Sequence, residues 1–417
     1  MGCLGSFNQE GTGIRLNSIL INVIAAWLWC IVCIRFSAAY FSYFLIVAGV
    51  SIMYMYYLKG KRLIYEVSLY PELKYVLWGC LCFYGSIILD SIILQDMQSL
   101  SRSLEYASLT IPFFVFYVLR TSYDIDKGTK IGLLVSCSII FTLGIYQWYQ
   151  DPNARIMSTF AHPNHLATMV AIVTPLIAYF LKNSSGYIER IGLAVLMGLG
   201  FLCMYLTKSR GGLVALVLGV CFSMFIMLIV SKDLKKKHIM TIVAGIALVI
   251  VIGTGAFYHL QEDRNGISKY GGERLQMIEA SYQMWNDHKL LGVGINRWGE
   301  NYYDVKYHPQ NAMEQGHNMP HNMPVYFLST SGLLGGIGYL LFHGILFMTL
   351  IKSFPLARDK WLVMALLSVF LAFFFQGLVD TTIINKIPAR IYFGLLGYGV
   401  AACRKKLEKE VTVVVAS

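Results

Sequence analysis

Long apolar runs separated by short polar breaks cover most of the chain. The runs are roughly 17 to 25 residues long, which is the length that a helix needs to cross about 30 Å of hydrocarbon. They are apolar all round, whereas the strands of a membrane barrel alternate apolar and polar positions. The pattern therefore predicts an all-α integral membrane protein with about twelve transmembrane helices. The predicted spans are 17–34, 38–57, 75–94, 107–119, 131–147, 164–181, 191–207, 211–230, 239–257, 324–350, 361–380 and 391–403.

The composition favours the same class of protein. Apolar residues make up 56% of the 417 residues and charged residues only 14%, which is too apolar for a water-soluble domain of this length. The longest polar stretch, 258–323, interrupts the apolar runs once. We therefore expect a single polytopic membrane domain over residues 1–417, with one long loop at 258–323 that contains short helices.

The basic residues predict how the chain is oriented in the membrane. With both termini inside, the predicted cytoplasmic segments carry 21 of the 34 Lys and Arg residues. Of the other 13, six lie in the long loop, which is discounted because long loops cross membranes largely regardless of charge. The net charge of +11 is then explained by the orientation of the chain and by its attraction to anionic membrane lipids. No nucleic acid is expected as a partner. Seven of the nine histidines fall on the outer side.

Arg210 lies where two apolar runs are joined by almost no loop, between Lys208 and a pair of glycines. An arginine at such a place is costly unless its side chain snorkels to water or meets an anion. A guanidinium group suits phosphate, and Gly211 and Gly212 allow a backbone or a ligand to come close. A snorkelling arginine and a phosphate clamp are both consistent with this sequence.

The long loop has an internal order of its own. Arg274 follows two glycines and precedes Ile278, Tyr282 and Trp285, which are apolar at helical spacing. Arg274 is therefore predicted to open an amphipathic helix near the membrane surface. The segment Leu290–Gly294 contains two glycines and predicts a tight turn.

The loop returns to the membrane through two His-Asn pairs, His317–Asn318 and His321–Asn322. Histidine can take a proton from a hydroxyl group near neutral pH, so either histidine is a candidate general base. The alternatives are that the histidines only bridge backbone groups of the loop, or that they bind zinc. Pro320 argues against a regular helix presenting both rings, and no carboxylate lies at a suitable spacing, which disfavours the metal site.

Together these segments resemble the O-antigen ligase and polymerase family of bacterial membrane glycosyltransferases, over residues 159–336. The matching pieces are Thr159–Ala167, Ser209–Gly212, Arg274 with Trp285, Leu291–Gly294, and His321–Asn322 with Gly332 eleven residues later. Each piece alone is weak, but their order, spacing and predicted sidedness are specific in combination. The sequence departs from the family pattern at Lys289, where a proline is common, and in having the His-Asn motif twice.

The resemblance implies a GT-C-type fold and an inverting glycosyltransferase that uses no metal and no cofactor. Its donor would be a glycan linked to undecaprenyl diphosphate, and its acceptor lipid A core or another glycan, at the periplasmic face of the inner membrane. It implies that Arg210 and Arg274 hold the diphosphate and that a His-Asn histidine, His321 by register, activates the acceptor hydroxyl. The residues expected to bind substrate are His317, Asn322, Asn164 and Lys208.

Three activities of this family share the donor and the chemistry and differ in the acceptor. A ligase for lipid A core is favoured here, since the chain is compact with one modest outer loop, over a repeat-unit polymerase and a protein O-oligosaccharyltransferase. A multi-helix transporter of the same glycolipid is the alternative from another class. A transporter would be expected to show internal symmetry between two halves. The sequence shows no such repeat, and its histidines lie mostly on one side.

Overall fold

The computed structural model describes residues 6–34, 40–59, 71–230, 267–309, 317–355, 357 and 359–415. Within these residues the chain is all-helical, as predicted, and forms no strand. The described helices are α1 (Ser6–Cys33), α2 (Tyr40–Lys59), α3 (Pro71–Ile93), α4 (Met97–Ser108), α5 (Ile111–Ser122), α6 (Asp126–Gln150), α7 (Pro163–Asn183), α8 (Tyr187–Leu206), α9 (Arg210–Val230), α10 (Ile267–Asp287), α11 (Trp298–Tyr302), α12 (Met323–Ser353), α13 (Lys360–Gly377) and α14 (Lys386–Val415).

Seven of the described helices are long and apolar enough to cross a membrane, namely α3, α6, α7, α8, α9, α12 and α13. Helices α1 and α2 carry shorter apolar stretches, Ser18–Cys33 and Phe41–Tyr57. These helices coincide with nine of the predicted spans and agree with a protein that crosses the membrane several times. The total of twelve spans stays a prediction, and the span at 239–257 lies outside the described residues.

The predicted span at 107–119 differs from the structure. Its first two residues belong to α4, an amphipathic helix that Asp96 caps through the amides of Gln98 and Ser99. The apolar part forms α5, which begins at Ile111 and has 12 residues. A helix of this length is about 18 Å long, too short to cross the hydrocarbon layer alone. The hydropathy pattern does not show this boundary, because α4 ends and α5 begins within one apolar stretch.

Small residues bring the helices close together. A Cβ atom on Gly219 of α9 would lie 2.8 Å from the main-chain nitrogen of Ala372 in α13, so only glycine permits this approach. Close to it, the hydroxyl groups of Ser223 and Ser368 are 2.6 Å apart and join the same two helices. Inside a bilayer, where apolar side chains gain little by leaving lipid, such close contacts and hydrogen bonds hold helices together.

The helix ends meet in a way that positions a site. Three hydrogen bonds link the ends of α6, α8 and α13 with the starts of α7, α9 and α12. They join Arg155 to Thr207, Asn164 to Asp380, and Asn322 to Leu378. Six helix termini therefore lie at one end of the bundle, which is called the site end below.

Candidate functional site

His321 is the last residue but one before α12, and the local backbone fixes its position. Its φ angle is +50°, in the left-handed region that residues other than glycine rarely adopt. The next residue, Asn322, caps α12 by accepting a hydrogen bond of 3.0 Å from the amide of Val325. The Asn322 side chain also donates to the carbonyl of Leu378, 2.9 Å away. Asn322, predicted to bind substrate, is thus engaged in holding the start of α12 against the end of α13.

The His321 ring is paired with Asp380, which follows α13. Its Nδ1 lies 2.9 Å from Oδ1 of Asp380, and the amide of Thr381 donates to the same oxygen over 2.7 Å. Burial raises the pKa of Asp380, but the hydrogen bond and charge of His321, the Thr381 amide and the charge of Arg274 together hold it below its ordinary value. An ionised carboxylate can only accept, so Nδ1 of His321 is the donor, and in the neutral ring Nε2 is then the nitrogen without a proton.

Asn164 holds the other oxygen of Asp380. Its side-chain nitrogen donates to Oδ2 of Asp380, and its side-chain oxygen accepts a hydrogen bond of 2.8 Å from Nη2 of Arg155. His162, the residue before α7, caps this helix by accepting from the Asn164 amide at 3.1 Å. Asn164, predicted to bind substrate, is thus brought next to His321 through Asp380, with both polar atoms of its side chain bonded within the protein.

Arg210 is the first residue of α9 and is half-buried. A Cβ atom on Gly211 would lie 3.1 Å from Val379 and 3.3 Å from the Gln376 side chain, so α9 begins directly beside the segment that ends at Asp380. Lys208 has a φ angle of +51°, and its ammonium donates to the carbonyl of Asn153 over 3.3 Å. The start of α9 therefore lies beside the segment that leads to Asp380, and Lys208 is directed towards the turn that precedes α7.

Arg274 lies on the exposed side of α10, and its charge acts on Asp380. The prediction that Arg274 opens this helix was wrong, because α10 begins at Ile267 and continues through the two glycines. Glycine in a helix costs only about 1 kcal/mol relative to alanine, which packing readily offsets. The buried face of α10 carries Met277, Ala280 and Met284, and the three apolar residues named from the sequence flank this face.

His317 lies beside His321, with 6.2 Å between the ring centroids. Its amide donates to the hydroxyl oxygen of Tyr303 over 2.7 Å, which ties it to the loop after α11. The hydrogen bond to Asp380 described above belongs to His321. Among the described residues, no group of three or more His, Cys, Asp and Glu is placed to hold a metal ion.

The predicted turn at Leu290–Gly294 fits into a break in α12. In a regular helix the amide of Leu333 would donate to the carbonyl of Ser329. Here the Leu333 amide donates to Lys289 at 2.8 Å, and the Ser329 carbonyl accepts from Val293 at 3.0 Å. The turn thus satisfies the backbone groups that the break leaves without helical partners.

Two glycines make this junction possible. Gly332 has φ +59° and ψ −155°, a conformation that is essentially restricted to glycine, and its Cβ would lie 2.2 Å from the Leu290 carbonyl. Gly292 has φ +66°, and its Cβ would lie 2.4 Å from the carbonyl carbon of Thr330. This contact explains why a glycine stands eleven residues after His321.

Replacing Gly332 with alanine is expected to destabilise the protein by roughly 3 kcal/mol or more, from backbone strain and the clash together. The measurement is the thermal unfolding midpoint in detergent. Gly344 in the same helix is the control, because nothing lies within 4 Å of its Cβ position. Gly344→Ala should change stability by about 1 kcal/mol at most. Equal effects of the two substitutions would contradict this account of the junction.

A partly buried ion pair holds the segment after the turn against α4. Nε and Nη2 of Arg297 lie 2.7 and 2.9 Å from the two carboxylate oxygens of Asp96. The Ser99 hydroxyl donates to the carbonyl of Ile295 at 2.7 Å. The hydrogen bonds from Arg297, and after them those from Ser99 and Gln98, hold the pKa of Asp96 well below its ordinary value of 3.8.

Arg297→Gln is expected to lower the free energy of local unfolding around α11 by about 2 kcal/mol. This corresponds to a roughly thirtyfold loss of amide exchange protection there. Lys306→Gln is the control, since Lys306 is 62% exposed in its pair with Asp287, and it should change protection little. Because the folded-state pKa of Asp96 lies below 3.8, the pair stabilises this segment at every pH above that value. Its contribution should shrink progressively as the pH falls from 3.8 towards the lower folded-state pKa, and an acid-insensitive segment would contradict this.

The family model described as O-antigen ligase matches residues 192–340 of the chain. The match includes Arg210, Arg274 and His321 and confirms the resemblance noted in the sequence. It supports a multi-pass bacterial membrane protein of a glycosyltransferase-type family. Comparison with curated proteins gives no match. Asp380 and Arg155 were not predicted from the sequence, and both lie outside the matched residues. The sequence signal for Asp380 is an acidic residue at the end of an apolar run, and that for Arg155 is a basic residue shortly before the His-Pro-Asn motif.

Proposed function

We propose, from the O-antigen ligase match over residues 192–340 together with the His321–Asp380 pair, that this chain is a GT-C-type membrane glycosyltransferase. It transfers a glycan from undecaprenyl diphosphate to an acceptor hydroxyl, with lipid A core as the acceptor. Its site end faces the periplasm, and both termini lie on the cytoplasmic side of the inner membrane. The distribution of Lys and Arg along the sequence supports this orientation.

The observation that carries the proposal is the imidazole–carboxylate pair at the mouth of the bundle. The His321 side chain is 30% exposed and that of Asp380 only 5%. A carboxylate that holds one ring nitrogen leaves the other free to take a proton, and it stabilises the imidazolium that forms. This arrangement suits the removal of a proton from a hydroxyl group, which is the step an acceptor sugar needs before it attacks.

The reaction then proceeds by a single displacement. Nε2 of His321 takes the proton of the acceptor hydroxyl as its oxygen attacks the anomeric carbon of the donor sugar. The bond between that carbon and the phosphate oxygen breaks, and its electron pair leaves with undecaprenyl diphosphate. Attack from the side opposite the leaving group inverts the anomeric centre. No step needs a metal ion or a nucleotide.

Arg210 and Arg274 stabilise the leaving diphosphate. Arg210 begins α9 next to the segment that ends at Asp380, and the charge of Arg274 reaches Asp380. Guanidinium groups bind phosphate oxygens through two parallel hydrogen bonds, and in a cleft with little water their charges act strongly on the negative charge that develops. The two cations and the base thus lie on one side of the bundle, where a lipid-linked donor and a hydroxyl acceptor can meet.

The acceptor is tested by reconstitution. Purified protein in lipid nanodiscs is mixed with undecaprenyl-diphosphate-linked glycan and, in separate reactions, with lipid A core, with further lipid-linked glycan alone, or with a Ser/Thr-containing peptide. Glycosylated lipid A core as the product is expected. Chain elongation in the absence of lipid A core would instead identify a polymerase, and glycopeptide a protein glycosyltransferase. Movement of the intact glycolipid across the bilayer with no transfer to any acceptor would identify a transporter.

A further inference from the structure

Arg155 is an arginine whose hydrogen bonds are divided between two parts of the site end. Its Nε donates to the carbonyl of Thr207 at 2.8 Å, and its Nη2 donates to the side-chain oxygen of Asn164 at 2.8 Å. Thr207 is fully buried at the end of α8, so its carbonyl is a fixed anchor. The planar guanidinium group therefore has one edge on a rigid support and another on the Asn164 amide.

The contact with Arg155 decides which way the Asn164 amide faces. A side-chain amide has an acceptor at one end and two donors at the other, and the two ends have nearly the same shape. Arg155 offers only donors, so the oxygen of Asn164 must face Arg155 and the nitrogen must face Asp380. In the reverse orientation the amide oxygen would oppose the ionised carboxylate, and two acceptors would repel each other.

The fixed amide in turn sets the rotation of the Asp380 carboxylate. With Oδ2 held by Asn164, Oδ1 is left for Nδ1 of His321 and for the amide of Thr381. A continuous series of hydrogen bonds thus runs from the Thr207 carbonyl through Arg155, Asn164 and Asp380 to the His321 ring. Every donor in this series faces an acceptor, which is the condition under which a network of hydrogen bonds holds one arrangement.

We propose that Arg155 is a positioning residue: by orienting the Asn164 amide it holds Asp380 in the rotamer that keeps the proton of His321 on Nδ1 and Nε2 available for the acceptor hydroxyl. This inference rests on the proposed glycosyl transfer for its consequence in turnover. Its structural content, the tautomer of His321, can be observed without any reaction. Groups that orient a functional histidine from one contact away typically change activity by about 10- to 100-fold.

The first test observes the tautomer directly. The protein is labelled with ¹⁵N-histidine, and His321 is assigned by comparison with a His321→Gln sample. Wild type should show a single tautomer protonated at Nδ1, whereas Arg155→Gln and Asn164→Leu should each show a mixture of both tautomers. Arg190→Gln is the matched control, because Arg190 also donates from Nε to a carbonyl, that of Ser184, at 2.8 Å, but at the opposite end of the bundle. It should give the wild-type spectrum. An unchanged tautomer in both the Arg155 and Asn164 variants would overturn the proposal.

The second test measures turnover and substrate dependence. Arg155→Gln and Asn164→Leu should lower kcat about 10- to 100-fold with little change in the KM for undecaprenyl-diphosphate-linked glycan. In a His321→Ala background, Arg155→Gln should cause no further loss, because it acts through His321. A raised donor KM with normal kcat, or a loss that multiplies with that of His321→Ala, would show that Arg155 acts on the donor itself and would overturn the proposal. Failure of the wild type to transfer glycan would count against the proposed function alone, since the tautomer test stands without it.

Discussion

His321→Ala is expected to lower turnover by about 10²- to 10⁴-fold, the usual cost of losing a general base. The same change at His317 should cost much less. His321 has both the register of the His-Asn motif, with Gly332 eleven residues later, and a hydrogen bond of 2.9 Å to Asp380. The main-chain amide of His317 donates to Tyr303, and alanine keeps this hydrogen bond, so the loop should stay in place and only contacts of the imidazole ring with the acceptor should be lost.

The measurement is the single-turnover rate of both variants at saturating donor, with lipid A core as acceptor. Asp380→Asn is the companion variant, because it keeps the shape of the side chain but can present an amide nitrogen to His321. A change of this kind fixes the wrong tautomer, so the Asp380→Asn rate should approach that of His321→Ala. A crippled His317→Ala together with near-normal His321→Ala would assign the base to the first His-Asn pair.

Arg210→Ala and Arg274→Ala are each expected to reduce transfer by about 10²- to 10³-fold or more, while the protein remains folded in the membrane. In the proposed mechanism, loss of either guanidinium removes a cation that stabilises the leaving diphosphate. Substitution by lysine should fail as well, because an ammonium group cannot supply two parallel hydrogen bonds. The loss should appear in kcat as well as in donor binding, since negative charge on the leaving group grows as the bond breaks.

Arg102→Ala is the control for these variants. Arg102 lies at the same end of the bundle, on α4, but its side chain is 43% exposed and pairs with Glu105. Its replacement should leave transfer unchanged. Both the Arg210 and the Arg274 variants are assayed with the melting midpoint monitored alongside. Normal product from both alanine variants would exclude the phosphate clamp. It would then favour the alternative that Arg210 is a snorkelling side chain.

The apolar runs predicted most of the helices because burial in lipid and helix formation depend on the same local property, the hydropathy of about 20 consecutive residues. The wrong predictions concern helix boundaries that hydropathy alone does not determine. The boundary between α4 and α5 lies inside an apolar stretch, and α10 continues through Gly271 and Gly272 because tertiary contacts along α12 outweigh their low helix propensity.

The site was predictable only as far as its residues carry a local signal. Arg210 and His321 stand out as polar groups at the ends of apolar runs. Asp380 was missed because it lies 59 positions from His321, and only the packing of α12 beside α13 brings the two together. Arg155 could not be given a role from sequence, since its role depends on the orientation of the Asn164 amide, which exists only in the folded protein.

The junction between the turn at Lys289–Gly294 and the break in α12 constrains the order in which the protein can assemble. A helix entering the bilayer with Ser329 and Leu333 unpaired would expose backbone groups that lipid cannot satisfy, at a cost of several kcal/mol. Those groups find partners only when the turn, more than thirty residues upstream, has docked on them. We therefore expect α12 to reach its final shape only after insertion, as a late step of maturation. Mutations at Gly292 should accordingly be recognised as defects of biogenesis, with chain that is inserted but degraded.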